Sequence, residues 1–281
     1  MGRKRKAQAL QVHVGSTRVG VYSRAADGST TFRYDPAWLA SDRAFPISLS
    51  MPLSSRPWAG ATVSAFFDGL LPDDPAIREK IASRERAGSA GTFDLLAAIG
   101  RDCVGALRFV PEGLDPGDPT KMVYKLVTDD EIAARIASLG TAPLGMDADE
   151  DDFRISLAGV QEKTAFLNIE GKWARPLGQT PTSHIFKPAL KEGPNGADFS
   201  DTPWNEWVCL ELCRALGLEA AKAQVLIFGG KPVLVVERFD RRWKDGVLYR
   251  LPQEDICQAL GVSPTRKYQN DGGPGIVDIL A

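Results

Sequence analysis

Between two apolar runs the chain carries Ala158-Gly159-Val160-Gln161-Glu162-Lys163, a short polar loop with one glycine and one lysine. A second lysine, Lys187, sits in the β-rich run "SHIFKPA", and a carboxylate, Glu206, follows at the start of a helix-like stretch. Such a loop can present backbone N–H groups to anionic oxygens, a strand lysine can meet them from the side, and a helix carboxylate can fix the lysine. Further on, Glu237-Arg238-Phe239 ends another β-rich run, where the backbone can bend past a flat base and offer it hydrogen bonds. Loop, lysine strand, helix glutamate and linker, in that order, suit a phosphorylated nucleotide and are the parts of a protein-kinase small lobe.

Each part also has a plainer explanation. "AGVQEKT" lacks the first glycine of G-x-x-x-x-G-K-[ST] and is not G-x-G-x-x-G, so by itself it reads as a hairpin turn. Lys187 before Pro188 can be an edge-strand charge that opposes aggregation. Glu206, in the first turn of its helix, is equally explained by the macrodipole. Glu237 and Phe239 share one face of an alternating run, where Phe is more often core. Ser156, just before the loop, would ordinarily bond backbone; as a phosphorylation site it would add about two negative charges beside the loop. "ERFDRRW" surrounds Asp240 with Arg238, Arg241 and Arg242, which reads as a solvated or ion-paired surface and not as a nucleic-acid patch.

The elements that must position these residues follow from pattern. "FRIS", "TAFLNI" and "WARPL" read as strands around turns at Leu157–Lys163 and Glu170-Gly171-Lys172. "DTPWNEWVCLELCRALG" reads as a helix with Thr202 at its N-cap, Pro203 at the first helical position and Gly217 as its stop. "QVLIF", Gly229-Gly230 and "KPVLVVERFD" read as a hairpin. Upstream, "LQVHVGSTRVGVYSR" gives two β-rich pieces broken at Gly15-Ser16, and Pro72 and Pro75 separate two helices in "TVSAFFDGLLPDDPAIREKIASR". "DEIAARIASLG" is helical, and the acidic cluster Asp147, Asp149, Glu150, Asp151 and Asp152 reads as a solvated linker without Ca²⁺-ligand spacing.

At 281 residues, 43% hydrophobic and 25% charged, the chain is long enough for about two folded domains. A formal charge of −2 gives no global pull toward nucleic acid or anionic lipid, and Arg3-Lys4-Arg5-Lys6 reads as a solubilising end. No apolar stretch approaches the ~18 residues of a membrane helix. The four cysteines form no C-x-x-C pair, and with His13 and His184 as the only histidines no structural metal is expected. Cys209 and Cys213, four apart on one helix, are expected to be buried, and the cysteine usage points to a reducing cytoplasm.

Six blocks in order, "DFRISLAGVQEKTAF", "SHIFKP", "NEWVCLELCRALGL", "VVERFDRRW", "RLPQEDICQALG" and "KYQNDGGPGI", closely resemble HipA, the serine/threonine kinase toxins of bacterial HipBA-type toxin–antitoxin systems. "WLASDRAFPISLSMPL", "FFDGLLPDDPAIREKI" and "FDLLAAIGRDCVGAL" extend the resemblance over nearly the whole chain. It implies a kinase that uses ATP and Mg²⁺, with glutamyl-tRNA synthetase as the family substrate and growth arrest and persistence as the outcome. It also implies that Ala158–Lys163 is the phosphate loop, Lys187 the phosphate-binding lysine, Glu237, Arg238 and Phe239 the adenine-contacting linker, and Ser156 an autophosphorylated serine that silences the toxin. Glu206 as the partner of Lys187 rests on spacing. A small HipB-like DNA-binding antitoxin is the implied partner, bringing the chain to operator DNA.

HipA-like kinases place the catalytic Asp, the metal-binding Asn and a second metal-binding Asp in a helical lobe beyond the "DGGPGI" block, and no histidine follows His184 here. No catalytic residue and no metal ligand is therefore expected in this chain, which would be inactive alone. The alternative is a non-catalytic module that binds antitoxin or nucleotide. The expected fold class is α+β: an N-terminal α/β subdomain over 1–127, a linker over 128–150 and a kinase-like nucleotide-binding lobe over 151–281, with the C-terminal helical catalytic lobe absent from this chain.

Overall fold

The computed structural model describes residues 8–140, 142–145, 155–159, 161–190 and 196–281. Val160, the basic start and the acidic cluster at 147–152 lie outside them. The chain forms two compact units: Met1–Pro119 with Ser156–Gly159 and Arg250–Ala281, and Thr120–Ile155 with Val160–Tyr249.

The first unit is built on an antiparallel sheet ordered β4-β3-β2-β1-β5, from β1 (Gln8–Val14), β2 (Thr17–Arg24), β3 (Thr30–Tyr34), β4 (Trp58–Ala59) and β5 (Leu107–Pro111). These pairings are antiparallel: in place of the expected α/β subdomain, β1 to β4 form a meander, β5 joins at the free edge of β1, and helices are added. Gly15 turns β1 into β2 at φ 56°, a conformation that favours glycine. The helices are α1 (Pro36–Leu39), α2 (Ala61–Asp68), α3 (Pro75–Arg84) and α4 (Thr92–Ile99). Asp74 caps α3 by accepting from the Ala76 and Ile77 N–H groups, with Pro75 pre-set for the first turn. Aromatic rings fill the space between sheet and helices: Tyr22 stacks on Phe67 at 4.0 Å, and Phe67 meets Phe32, Phe66 and Phe109 edge-on or tilted.

The second unit has a six-stranded sheet ordered β10-β11-β9-β7-β8-β6, again with antiparallel pairings. Its strands are β6 (Tyr124–Leu126), β7 (Thr164–Ile169), β8 (Lys172–Pro176), β9 (His184–Pro188), β10 (Ala223–Phe228) and β11 (Lys231–Glu237). The hairpin of β12 (Arg241–Lys244) and β13 (Val247–Arg250) is separate. Helix α5 (Asp129–Ser138) starts in a capping box between Thr128 and Glu131 and buries Ile132 in a core with Phe166, Phe186, Phe228, Val233 and Val235. Helix α6 (Thr202–Ala215) packs on β10 and β11.

Several expectations change. The 128–150 segment is not a simple linker, because α5 carries core residues of the second sheet. Residues 124–126 belong with that sheet too, as β6 pairs with β8. Residues after Arg250 leave the second unit: α7 (Ile256–Leu260) docks against α2, with the Gln258 side chain donating to the Phe66 carbonyl at 2.8 Å while Ser50 Oγ donates to the Gln258 carbonyl at 2.7 Å. Gly69 permits this approach, since a Cβ there would meet Gln258 Cγ at 2.9 Å. A last helix, α8, spans Ile276–Leu280. Ile155 and Ser156 are not in a strand. Asp201, not Thr202, holds the N-cap position of α6, and Cys209 is exposed because that helix is covered on one side only. No helix among the described residues is long and apolar enough to cross a membrane.

His13, buried on β1 opposite Arg108 of β5, has no hydrogen bond of standard geometry at either ring nitrogen among the described residues. Burial, then the charges of Arg108 and Arg18, push its pKa down to about 4, against a small opposing effect of the Ser16 backbone. The unfolded chain, with an ordinary histidine near 6.5, binds the proton first, so stability is full above pH 6.5 and is lost as pH falls toward 4. The His13 contribution to that loss is about 3 kcal/mol, at about 1.4 kcal/mol per pKa unit. Urea unfolding of wild type and His13→Leu between pH 4 and 7 should show the wild type alone carrying this slope; parallel curves would refute the assignment.

Candidate nucleotide-binding site

Strand β9 alternates, so successive side chains point to opposite faces of the sheet. Phe186 enters the core beneath α5, and Lys187 turns to the other face, where its Nζ meets Glu206 Oε1 of α6 at 2.6 Å. Both side chains are partly open to solvent, at 25% and 38% exposure, so the pair is accessible to a ligand. Lys187 pairs with Leu234 of β11 across the ladder, which fixes its height on the sheet. Beside it, Gln161 Nε2 donates to the Pro188 carbonyl at 2.9 Å, tying the second half of the polar loop to the end of the lysine strand.

The loop is shared by the two units: Ala158 and Gly159 belong to the first, Gln161, Glu162 and Lys163 to the second. In the first unit the approach to the loop is firmly held. Ser156 is fully buried; its N–H donates to the Asp102 carbonyl at 2.9 Å and its hydroxyl to the Leu70 carbonyl at 2.6 Å. Leu157 is buried beside it. Gly159 bridges to Pro72 with φ 102°, a left-handed conformation that strains any residue with a Cβ. In the second unit Lys163 is buried, and Glu162 lines a cavity of about 980 Å³ with Pro188, Leu190, Gly229, Lys231 and part of α5.

At the end of β11 the three linker candidates separate. Glu237 is half-exposed, 3.8 Å from Lys222 Nζ, and its N–H donates to the Lys222 carbonyl. Arg238 is buried: its guanidinium donates to both Asp240 oxygens, at 3.0 and 2.8 Å, and to Thr182 Oγ1 at 2.9 Å. Arg241 adds a bond to Asp240 Oδ2 at 2.7 Å. Hence Arg238, Asp240 and Arg241 are ion-paired as expected but buried, Arg242 is exposed, and the Arg238 side chain is committed to the protein. Phe239, between these buried groups, is 71% exposed and lies past the end of β11, which removes the plainer explanation of it as a core residue. His184, cross-strand from Glu237, is held below the usual histidine range by burial, with Glu237 opposing.

Sequence reasoning missed Thr182 and the burial of Asp240; arginines on both sides of an aspartate signalled pairing, whereas nothing in the pattern signalled depth. It also missed Asp73, whose N–H donates to the Gly159 carbonyl at 3.4 Å.

Family comparisons bear on this geometry. The HipA N-terminal domain matches residues 10–110 and the HipA-like C-terminal domain matches residues 155–281. A Sinorhizobium fredii protein named as a kinase, Y4mE, is 36% identical over 266 residues, covering 92% of this chain and 61% of that one. The serine/threonine-protein kinase toxin HipA of Shewanella oneidensis is 31% identical over 274 residues, covering 96% of this chain and 59% of the toxin. A solved structure from Shewanella oneidensis, of HipA with HipB and its operator DNA, matches at TM-score 0.74 and 30% identity, covering 96% of this chain and 60% of that one. The chain thus spans about three fifths of the length of these relatives.

Asp240→Asn should lower stability to urea by roughly 3 kcal/mol, because it leaves two buried guanidiniums without their anion. Lys222→Met, which removes an exposed pair, should change it by less than about 0.5 kcal/mol. Equal effects would show that the Asp240 cluster is not the buried network described.

Proposed function

The chain belongs to the HipA family, and from that premise we propose that it carries the nucleotide-holding part of a protein serine/threonine kinase toxin. The observation that supports this most directly is the 2.6 Å ion pair between Lys187 and Glu206, a strand lysine oriented by a helix glutamate. Glu206 draws the ammonium over the α6 face and keeps the long lysine stem in one rotamer, so a cation is in place before a phosphate arrives. Bound ATP would supply the phosphoryl group to a protein hydroxyl. The amides of Ala158–Lys163 are the proposed phosphate donors, with Gly159 providing backbone free of a side chain at φ 102°.

The Arg238–Asp240–Arg241 cluster holds the backbone at 237–239 by its own ion pairs, which lets that backbone serve as a fixed adenine edge while the open Phe239 ring offers an apolar surface. The ordinary ion pairs at these positions fit a nucleotide site. Among the described residues no group of three or more His, Cys, Asp or Glu side chains converges. No step is therefore assigned to a metal here. The residues proposed here account for holding the nucleotide, and no general base or metal ligand is assigned among them.

Ser156 is proposed as the self-modified serine. Its hydroxyl donates to the Leu70 carbonyl, and a phosphate bearing about two negative charges cannot donate there, so modification requires Ser156 to leave its buried seat. By the family reading, glutamyl-tRNA synthetase is the first acceptor to test. A HipB-like antitoxin, with operator DNA bound through it, is the proposed partner, supported by the composition of the matching Shewanella complex.

Calorimetric titration of ATP into the 281-residue chain should give measurable binding that weakens at least about tenfold in Lys187→Ala and by a smaller factor in Glu206→Gln, which leaves the cation but frees its stem. Equal affinity of wild type and Lys187→Ala would remove the lysine from the site.

A further inference from the structure

Within the first unit, the stretch Ser156–Gly159 runs alongside residues 70–73 and is held there with unequal strength. Upstream the bonds are short: Ser156 Oγ to the Leu70 carbonyl at 2.6 Å and Ser156 N–H to the Asp102 carbonyl at 2.9 Å. At Gly159, where the chain turns away, the bond from Asp73 N–H is long, 3.4 Å. A bond of that length sits at the weak edge of the hydrogen-bond range, so its persistence depends on what keeps Asp73 in place.

Asp73 is kept in place by a residue distant in sequence. Lys267 Nζ donates to Asp73 Oδ2 at 2.8 Å, and the same ammonium lies 5.3 Å from the centre of the Tyr268 ring. The pair is partly buried, at 32% and 20% exposure. Lys267 enters from a segment that cannot easily give way: the turn Pro264–Arg266 is capped by Ser263, and α7 before it is pinned to Phe66 through Gln258. Asp73, Gly159 and Lys267 line one cavity of about 270 Å³, together with Ala158, Asp255 and Cys257. The bond with Asp73 also raises the Lys267 pKa, so the ammonium stays charged at neutral pH.

We infer that Lys267 and Asp73 are a positioning pair: the ion pair sets the backbone of Asp73, which holds Gly159 and hence the first half of the polar loop in its nucleotide-ready conformation. This rests on the reading of Ala158–Lys163 as the phosphate loop. Neither residue touches the phosphates; Lys267 acts through the Asp73 carboxylate, and Asp73 through its own N–H on the Gly159 carbonyl.

Two measurements on the full chain separate this inference from the reading beneath it. Hydrogen exchange at the Asp73 amide, the donor of the bond to the Gly159 carbonyl, should rise about tenfold without nucleotide in Lys267→Met and return to wild-type rates in Lys267→Arg, while β1 and β2 stay protected. Lys125→Met, which removes an exposed ion pair elsewhere, is the control and should leave exchange at the Asp73 amide unchanged. ATP affinity should fall severalfold in Lys267→Met and recover in Lys267→Arg. Unchanged exchange at the Asp73 amide in Lys267→Met overturns the positioning pair. Faster exchange with unchanged ATP affinity keeps the pair and overturns the phosphate-loop reading. Should Lys267→Met lose its fold, Asp73→Asn, which keeps the Lys267 stem packed, carries the same test with the same outcomes.

Discussion

Phe186 decides where Lys187 points. The ring sits in a core with Phe166, Phe228, Val233 and Val235 beneath α5, so the register of β9 cannot slip by one residue without sending that ring to solvent and a charge into the core. Burying such a ring contributes roughly 2 kcal/mol or more, and burying an unpaired ammonium in its stead would cost several. The placement of a solvent-facing functional lysine is thus a consequence of apolar packing on the reverse of the same strand. Leu234 opposite Lys187 and Val235 opposite Phe186 carry the same constraint into β11, whose end bears the 237–239 backbone.

Around that frame, backbone positions are set by side chains that cannot themselves bind a ligand. Arg238 and Arg241 are spent on Asp240, while Thr182 Oγ1 accepts from Arg238 Nη1 and the Ser183 carbonyl accepts from the Arg238 N–H. Phe239 stands in the turn from Arg238 to Arg241, closed by the Arg241 N–H donating to the Arg238 carbonyl at 3.2 Å; with Arg238 and Asp240 turned into the interior, its ring is left to solvent. In the first unit the same logic holds at Ser156, whose hydroxyl and N–H are both used to seat the chain ahead of Gly159.

How much of this was legible depended on whether the cause was local. The turns at Gly229-Gly230 and Glu170-Gly171 were, because the left-handed backbone they need selects glycine and its neighbours regardless of tertiary context. So was the pairing of Lys187 with Glu206, read from a strand followed by a helix. The return of 250–281 to the first unit was not: it depends on Gln258 reaching the Phe66 carbonyl, a contact between residues 192 positions apart with no periodic trace. Nor was β6, three residues long and too short to show an alternation. The depth of the Asp240 cluster escaped because charge patterns carry pairing but not burial, and charged residues are mostly at the surface. Cys209 was misplaced for the complementary reason, since helical spacing says which residues share a face but not whether anything covers it.

Stability and ligand contact are divided among different residues, and the division follows from solvent exposure. A partly exposed ion pair such as Lys187–Glu206 is worth about 1 kcal/mol or less to folding, since water competes for both charges. Its substitution changes what the α6 face can attract and leaves the core under α5 intact. Arg238 is the opposite case: it stands within the same linker as Phe239, yet removing it takes one of two buried guanidiniums from Asp240 and disturbs the fold first. A loss of nucleotide binding on changing Arg238 would therefore say little about contact, whereas the same loss on changing Lys187 or Phe239, with the fold unmoved, speaks for the site itself.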